Sequence, residues 1–429
     1  MARKMKDSGI EWIGEIPEGW RTINPKALFT QRKDKAQKGE RQLTSSQQYG
    51  ILYQDDYMEL TGSKVVTVEK DFDILKHVEA GDFVISMRSF QGGLEYSTKS
   101  GAISSAYVML VPNLELVYPR FYRWLLKSSV YIDALQRTTS MVRDGQAMRY
   151  SNFAQVRLFT LPLDEQKSRA DFLDLECSSI DKILFKTRSS IEEYKKLKQA
   201  VITQAATKGV RGEREMKDSG VEWIGKIPRE FDSVQLKFFC KLITDGTHFS
   251  PTTVENGWPY ITAGDVHGIG LDYNSAKRIS EEDFQLLVAQ GCQPLKGDVL
   301  LVKDGATTGR VGFVDSDTPC VILSSVAMLR PADNTDGHYL MYLLASDFLQ
   351  KQILVSMAGS AMPRTTLTKL TKYIGLLPPL HEQKEIANYL DAKCAEIDKL
   401  IAKKEQLVKE LESYKKSLIY EVVTGKREV

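Results

Sequence analysis

The sequence predicts an α+β protein. Two globular regions of mixed α/β structure are separated by two long helices that pair as an antiparallel coiled coil, in a pseudo-two-fold internal repeat. Three observations lead there. The segment Asp7-Ser8-Gly9-Ile10-Glu11-Trp12-Ile13-Gly14-Glu15-Ile16-Pro17 returns as Asp218-Ser219-Gly220-Val221-Glu222-Trp223-Ile224-Gly225-Lys226-Ile227-Pro228. The proline-led helix start Leu161-Pro162-Leu163-Asp164-Glu165-Gln166-Lys167 has its counterpart from Leu377, with Glu382-Gln383-Lys384. Between these repeats the same order of short apolar runs recurs with different connecting loops. Such self-similarity means one structural unit used twice.

Bulk properties set the frame. A chain of 429 residues is too long for one core and suggests about two to four domains. At 42% hydrophobic and 27% charged residues it reads as an ordinary globular protein. No apolar run approaches the ~18 residues of a membrane span, and the residues after Met1 hold no apolar signal core, so neither a membrane nor export is expected. Five cysteines, Cys177, Cys240, Cys292, Cys320 and Cys394, form no CxxC pair and fit a reducing cytoplasm. A net charge of +2 means that any nucleic-acid face must be a local patch.

Taken in order, residues 1–16 form the first copy of the short repeated tail. Residues 17–160 make the first globular region, with strands expected at Lys64–Val68, Gly81–Ser86 and Ala106–Val111 and a helix at Pro119–Leu135. The charge-rich stretch Gln31–Gly39 reads as a solvated loop. Residues 161–215 hold the first long helix; from Glu165 to Thr207 it would be on the order of 60 Å long. Residues 216–376 carry the second tail and the second globular region. There Gly297–Val302 answers Gly81–Ser86, Leu323–Leu329 answers Ile103–Met109, Tyr342–Leu344 answers Trp124–Leu126, and Gly359–Met362 answers Gly145–Met148. Residues 377–429 hold the second long helix.

The helices carry the clearest periodicity. Leu173, Cys177, Ile180, Leu184, Thr187, Ile191 and Tyr194 follow one another in alternating steps of four and three, as do Leu390, Cys394, Ile397, Ile401, Lys404, Val408 and Leu411. That is a heptad seam, with Thr187 and Lys404 as polar exceptions that fix register. A bundle closed within each half is the competing arrangement. Gly209 and Gly425 sit where helix-ending glycines belong. Cys177 and Cys394 read as packing residues. Two equal units favour the antiparallel arrangement.

No catalytic signature stands in the sequence. It has no phosphate-binding G-x-x-x-x-G-K-[ST] loop, no Asn/Asp-Pro-Pro-aromatic motif of an amino-group DNA methyltransferase, and no H-E-x-x-H zinc site. The histidines His77, His248, His267, His338 and His381 have no ligand spacing, so no metal site is expected. What remains is a set of polar loops suited to base edges and phosphates. In the second region the candidates are Thr244, Thr247, His248, Lys303, Thr307, Thr308, Arg310 and Arg364. In the first they are Arg88, Ser89, Gln91, Arg143, Gln146 and Arg149. Each loop alone is explained as well by a surface turn; their matched placement in both halves is what points to base and phosphate contact.

The duplicated Asp-Ser-Gly-(Ile/Val)-Glu-Trp-Ile-Gly-x-Ile-Pro and the paired Glu-Gln-Lys helix starts resemble the specificity subunit of type I restriction-modification enzymes, the HsdS family. The resemblance spans nearly the whole chain and departs in the loops of the two variable regions. It implies that each globular region is a target-recognition domain reading one half of a bipartite, asymmetric site in double-stranded DNA. The helices would then be a spacer and the docking surface for two methyltransferase subunits, with a restriction and translocase subunit completing the complex in a prokaryotic cytoplasm. No cofactor is expected in this chain; S-adenosylmethionine, ATP and Mg belong to the partners. Two readers on a rigid rod would contact half-sites about one helical turn apart, roughly 34–36 Å. Two other readings compete. A stand-alone enzyme with both activities lacks the motifs and the length, and a coiled-coil scaffold with two protein-binding modules predicts no sequence-specific DNA protection.

Overall fold

The computed structural model describes residues 3–68, 72–86, 94–138, 149–221, 224–357 and 363–429. The chain forms two compact units, Met1–Arg188 with Gln406–Val429, and Ser189–Glu405. Each long helix therefore contributes one part to each unit.

In the first unit a four-stranded antiparallel sheet runs in the order Phe29–Arg32, Tyr107–Pro112, Phe83–Ser86, Glu95–Tyr96. Phe83, Val84 and Ile85 are all buried, because helices and loops cover both faces of this strand. Phe29 is the centre of the aromatic core, edge-on to Phe83 at 5.4 Å, Tyr122 at 5.5 Å and Phe153 at 5.7 Å. The stretch expected as one helix from Pro119 to Leu135 is two, Pro119–Leu126 and Ser129–Arg137. Ser128 breaks it: its buried hydroxyl donates to the Leu125 carbonyl at 2.7 Å, holding the backbone out of the helix. Lys64–Val68 is not a strand. It is held by the Gln42 amide, which donates to the Val68 carbonyl at 2.7 Å and accepts from its N–H at 2.9 Å. Gln31 and Arg32 belong to a strand rather than to the solvated loop, and the loop begins after them.

In the second unit the matching sheet runs Cys240–Asp245, Val326–Pro331, Val299–Val302, Val311–Phe313. All four side chains of Val299–Val302 are at 0% exposure, the continuous apolar run of a strand covered on both faces. A second four-stranded sheet is formed by Thr253–Val254, Lys277–Ile279, Trp258–Ile261 and Val321–Ile322, where the first unit has two two-stranded sheets, Leu43–Ser46 with Gly50–Tyr53 and Lys76–Val78 with Gly101–Ile103, linked by a parallel bridge between Gln42 and Ala102. The strand registers correct the alignment of the copies by one residue. Met109 lies opposite Val84 and Met328 opposite Leu300, so Met109 answers Met328 and the first copy carries one extra residue before this strand.

The long helices are Leu163–Lys208 and Leu380–Val423. Within the first unit Asp181 meets Lys415 at 2.5 Å, Arg188 meets Glu412, and Arg169 Nη1 donates to the Val422 carbonyl at 2.8 Å. Within the second, Lys198 meets Asp398 at 2.7 Å and Arg211 meets Glu385 at 2.8 Å. Partner numbers fall as helix numbers rise, so the pairing is antiparallel in each unit. Leu173, Cys177, Ile180, Leu184, Thr187, Ile191, Leu390, Cys394 and Ile397 are buried, whereas Ile401 and Val408 are half-buried. Lys404 is accommodated by placing its ammonium over the Tyr194 ring at 5.6 Å.

The repeated tails are β-hairpins closing helix ends. Met5–Asp7 pairs with Glu15–Pro17, and Met216–Asp218 with Lys226–Pro228. In both, the Asp side chain accepts from the glycine N–H at 2.9 Å (Asp7 with Gly9, Asp218 with Gly220). Gly425 ends the second helix at φ 78°, and a Cβ there would stand 2.5 Å from Pro17 Cγ and 2.9 Å from the Trp20 ring. Only glycine satisfies both the left-handed turn and that close approach.

Candidate nucleic-acid interface

Each globular region is braced by the same buried polar frame. Gln166 and Gln383, the glutamines of the two Glu-Gln-Lys motifs, are at 0% exposure. Gln166 accepts from the Tyr118 N–H at 2.7 Å and donates to the Leu116 and Leu161 carbonyls at 2.8 and 2.9 Å. Gln383 accepts from Asp336 N–H at 2.8 Å and donates to the Asn334 and Pro378 carbonyls at 2.9 and 2.8 Å. Each thereby ties the start of a long helix to the loop beneath it, with every amide hydrogen and acceptor in use. The preceding glutamates lock the tails. Glu165 takes Arg3, Arg169 and Trp20; burial alone would raise its carboxyl, but these donors more than offset it and hold the group at about 2. Glu382 takes Arg214 at 2.5 Å.

On this frame the second unit gathers four loops at one end of its main sheet. Cys240–Asp245 ends in Asp245, Val299–Val302 leads into Lys303-Asp304, Ser325 precedes Val326–Pro331, and Pro363-Arg364-Thr365 lies alongside. Backbone hydrogen bonds join them: Lys303 N–H to the Ser325 carbonyl at 2.8 Å, Gly305 N–H to Pro363 at 2.9 Å, and Thr365 N–H to Lys303 at 2.9 Å. Gly246 packs against the Ile322 and Leu323 backbone where no Cβ fits.

The candidate residues separate into three groups. Lys303 is 3% exposed, its ammonium 3.2 Å from Asp245 and 2.9 Å from Asp304. It is therefore no phosphate ligand but the internal counter-charge of two carboxylates, a correction its sequence neighbours could not signal. Thr247 is likewise buried, accepting from the Phe249 N–H at 2.9 Å, and Thr308 spends its hydroxyl on the Gly305 carbonyl at 2.7 Å. Thr244 and Thr307 are half-buried, while His248, Phe249 and Arg310 stand exposed. Arg364 has a 59% exposed side chain with Nε 2.9 Å from Asp304 Oδ1. Arg310 faces elsewhere, lining a cavity of about 540 Å³ with Lys195 and Lys198 of the first long helix and with Asp347. Asp245, Asp304 and Phe249 complete the cluster and were not among the sequence candidates. In the first unit Arg149 is exposed at the start of the short helix Tyr150–Phe153. Arg88, Ser89, Gln91, Arg143 and Gln146 lie outside the described residues. Among the described residues no group of His, Cys, Asp and Glu could hold a metal ion, and no helix is long and apolar enough to cross a membrane.

This geometry offers donors and acceptors on a fixed rim. The family model for the type I restriction modification DNA specificity domain matches residues 228–410. A type I restriction enzyme MjaVIII specificity subunit from Methanocaldococcus jannaschii is 26% identical over 362 residues, 81% of this chain and 80% of the relative. The putative MjaX specificity subunit of the same organism is 23% identical, covering 96% of this chain and 95% of that one. Among solved structures, a chain from a study of assembly and conformational transition of the type I R-M system superposes with a TM-score of 0.71. It is 17% identical and covers 96% of this chain and 99% of its own. The HsdS subunit from Thermoanaerobacter tengcongensis gives 0.50 at 16% identity, covering 96% of this chain and 98% of its own.

Proposed function

We infer that this chain, which belongs to the HsdS family of type I restriction-modification specificity subunits, reads a bipartite, asymmetric site in double-stranded DNA. Each globular region reads one half. The observation that carries this reading is the combination of one buried frame used twice with exposed loops that differ between the copies, since a shared scaffold with divergent rims recognises two different things. The chain is a non-catalytic subunit of its complex. Two methyltransferase subunits dock on the paired helices and bring S-adenosylmethionine. A restriction and translocase subunit uses ATP and Mg. The assembly works in the prokaryotic cytoplasm. Methylating an adenine within a duplex requires flipping it out, and this subunit holds the DNA while its partner does so.

The test is single-molecule sequencing of adenine methylation in genomic DNA, with this gene present and deleted beside its methyltransferase partner. A methylated asymmetric motif in two parts that vanishes on deletion is the expected result. An unchanged map, with the partner expressed and active, would favour a scaffold with protein-binding ends.

A further inference from the structure

The geometry points to Arg364 as the side chain that reads a guanine in the half-site of the second unit, with Asp304 as its positioning residue. This rests on the DNA-reading function proposed above and assigns it to one residue and one base.

Arg364 stands apart from the other cations on the rim by what holds it. Its backbone forms an antiparallel bridge with Asp304, flanked by the Gly305 to Pro363 and Thr365 to Lys303 hydrogen bonds. The next residue, Thr365, is at 0% exposure, and its hydroxyl and that of Ser356 each lie 2.6 Å from the Tyr373 hydroxyl. The base of the Arg364 side chain is thus fixed from both sides. At its far end Nε is 2.9 Å from Asp304 Oδ1. That oxygen is buried and makes no aligned hydrogen bond, while Oδ2 of the same carboxylate is occupied by Lys303 Nζ at 2.9 Å. Asp304 therefore cannot turn away, and its one open acceptor faces the arginine. A second buried polar atom without a partner, Ser325 Oγ, belongs to the residue whose carbonyl accepts from the Lys303 N–H.

A guanidinium engaged through Nε keeps Nη1 and Nη2 free as a planar fork, the shape that matches guanine O6 and N7 in the major groove. The pairing also lowers the net charge that Arg364 presents. Phosphate contact draws on net charge and tolerates mobility, whereas base reading draws on fixed direction. Arg364 has the second set of properties. Arg310, exposed beside Lys195 and Lys198, has the first. When guanine aligns the fork, Nε comes into line with Asp304 Oδ1 and completes the hydrogen bond that is missing in the free protein.

The experiment uses the full chain assembled with its methyltransferase partner. Methyl transfer is measured on duplexes of the genomic target, on duplexes with each guanine replaced singly by the other bases, and on duplexes carrying 7-deazaguanine. Arg364→Ala should lose discrimination on the order of 10- to 100-fold at one guanine of one half-site, with the other half-site unchanged. At that guanine 7-deazaguanine should impair the wild type and leave Arg364→Ala unaffected. Asp304→Asn should weaken preference at the same position, and Arg364→Lys should fail to restore it because an ammonium lacks the fork. Melting of the full chain separates these effects from misfolding, and a destabilised Asp304→Asn leaves the Arg364 variants to decide. Unchanged base preference for Arg364→Ala overturns the assignment while the function stands. Equal weakening on all duplexes makes Arg364 a phosphate contact and also overturns it. A wild-type complex with no preferred sequence at all would remove the underlying function, and the assignment with it.

Discussion

The two units meet one structural demand with different side chains. Each opens a central strand with a Gly-Asp pair whose carboxylate is buried. Asp82 accepts from the Glu79 N–H at 3.0 Å and Asp298 from the Leu295 N–H at 2.8 Å. Each needs a cation. In the first unit Arg32 supplies it from the edge strand, with Nε 2.7 Å from Asp82. In the second Arg330 supplies it from the central partner strand, with Nη2 2.8 Å from Asp298. The helix starts show the same pattern. Arg169 is buried against Glu165 and the Val422 and Arg427 carbonyls in one copy, while Ile386 takes its place on the second helix. The carboxylate, the glutamine bridge and the hairpin are kept, and their compensating neighbours drift. What a fold must satisfy is a hydrogen-bond and charge balance, and more than one strand can supply the missing partner.

The comparison can be broken in measurable ways. The largest effect is expected for Asp82→Ala and Asp298→Ala, each removing the buried carboxylate that a largely buried arginine faces; Arg32 then keeps only the exposed Asp34. The cost is about 3–5 kcal/mol, read as earlier melting of the unit that carries the change. Similar losses support equal roles for the two carboxylates despite the different arginines; a silent change in either would end the equivalence. Next comes Arg169→Ile, which installs the residue type of the other copy. It should destabilise the first unit by about 2–3 kcal/mol, because the Val422 and Arg427 carbonyls lose their donor. Urea unfolding of that variant beside Ile386→Ala, whose cost is of similar size but arises from a cavity, shows whether the arginine is replaceable. Smallest are Tyr122→Phe and Tyr339→Phe. Their hydroxyls donate to the Phe159 carbonyl at 2.9 Å and the Leu376 carbonyl at 2.6 Å, so each should cost about 1 kcal/mol and the two should agree.

Acid gives a further contrast. Glu165 is lowered from 4.5 to about 2 on folding, by Arg3, Arg169 and Trp20 acting against burial. A carboxylate depressed in the folded state adds stability above its unfolded value, and that stability fades as pH falls from there toward the folded value. Denaturant midpoints followed downward through pH 4.5 should fall more steeply in the wild type than in Glu165→Gln. Parallel slopes would remove Glu165 as a source of acid sensitivity.

Much of the frame was legible in the sequence because it is written locally. The heptad seam, the Gly-Asp strand starts and the apolar run Val299–Val302 each impose a period or composition that needs no distant information. The one-residue alignment error shows where this ends. Ser104-Ser105 and Ser324-Ser325 match by eye, yet only the strand pairing reveals the extra residue that follows in the first copy. The second sheet of the second unit, built from strands of two to four residues, carries too little pattern to detect. In the candidate site Thr244, His248, Arg310 and Arg364 were nameable as polar loop residues. Nothing near Lys303 in the chain announces Asp245 as its partner, and nothing near Arg364 announces Asp304. Those pairings arise from the sheet.

The most direct test is the methylation motif of a full chain altered only on the rim of the second unit, carrying Thr307→Ala and Arg364→Ala. The account predicts that one half of the motif relaxes while the other half and the spacing between them are retained. Relaxation of both halves, or a motif identical to that of the wild type, would contradict the division of reading between two copies of one frame.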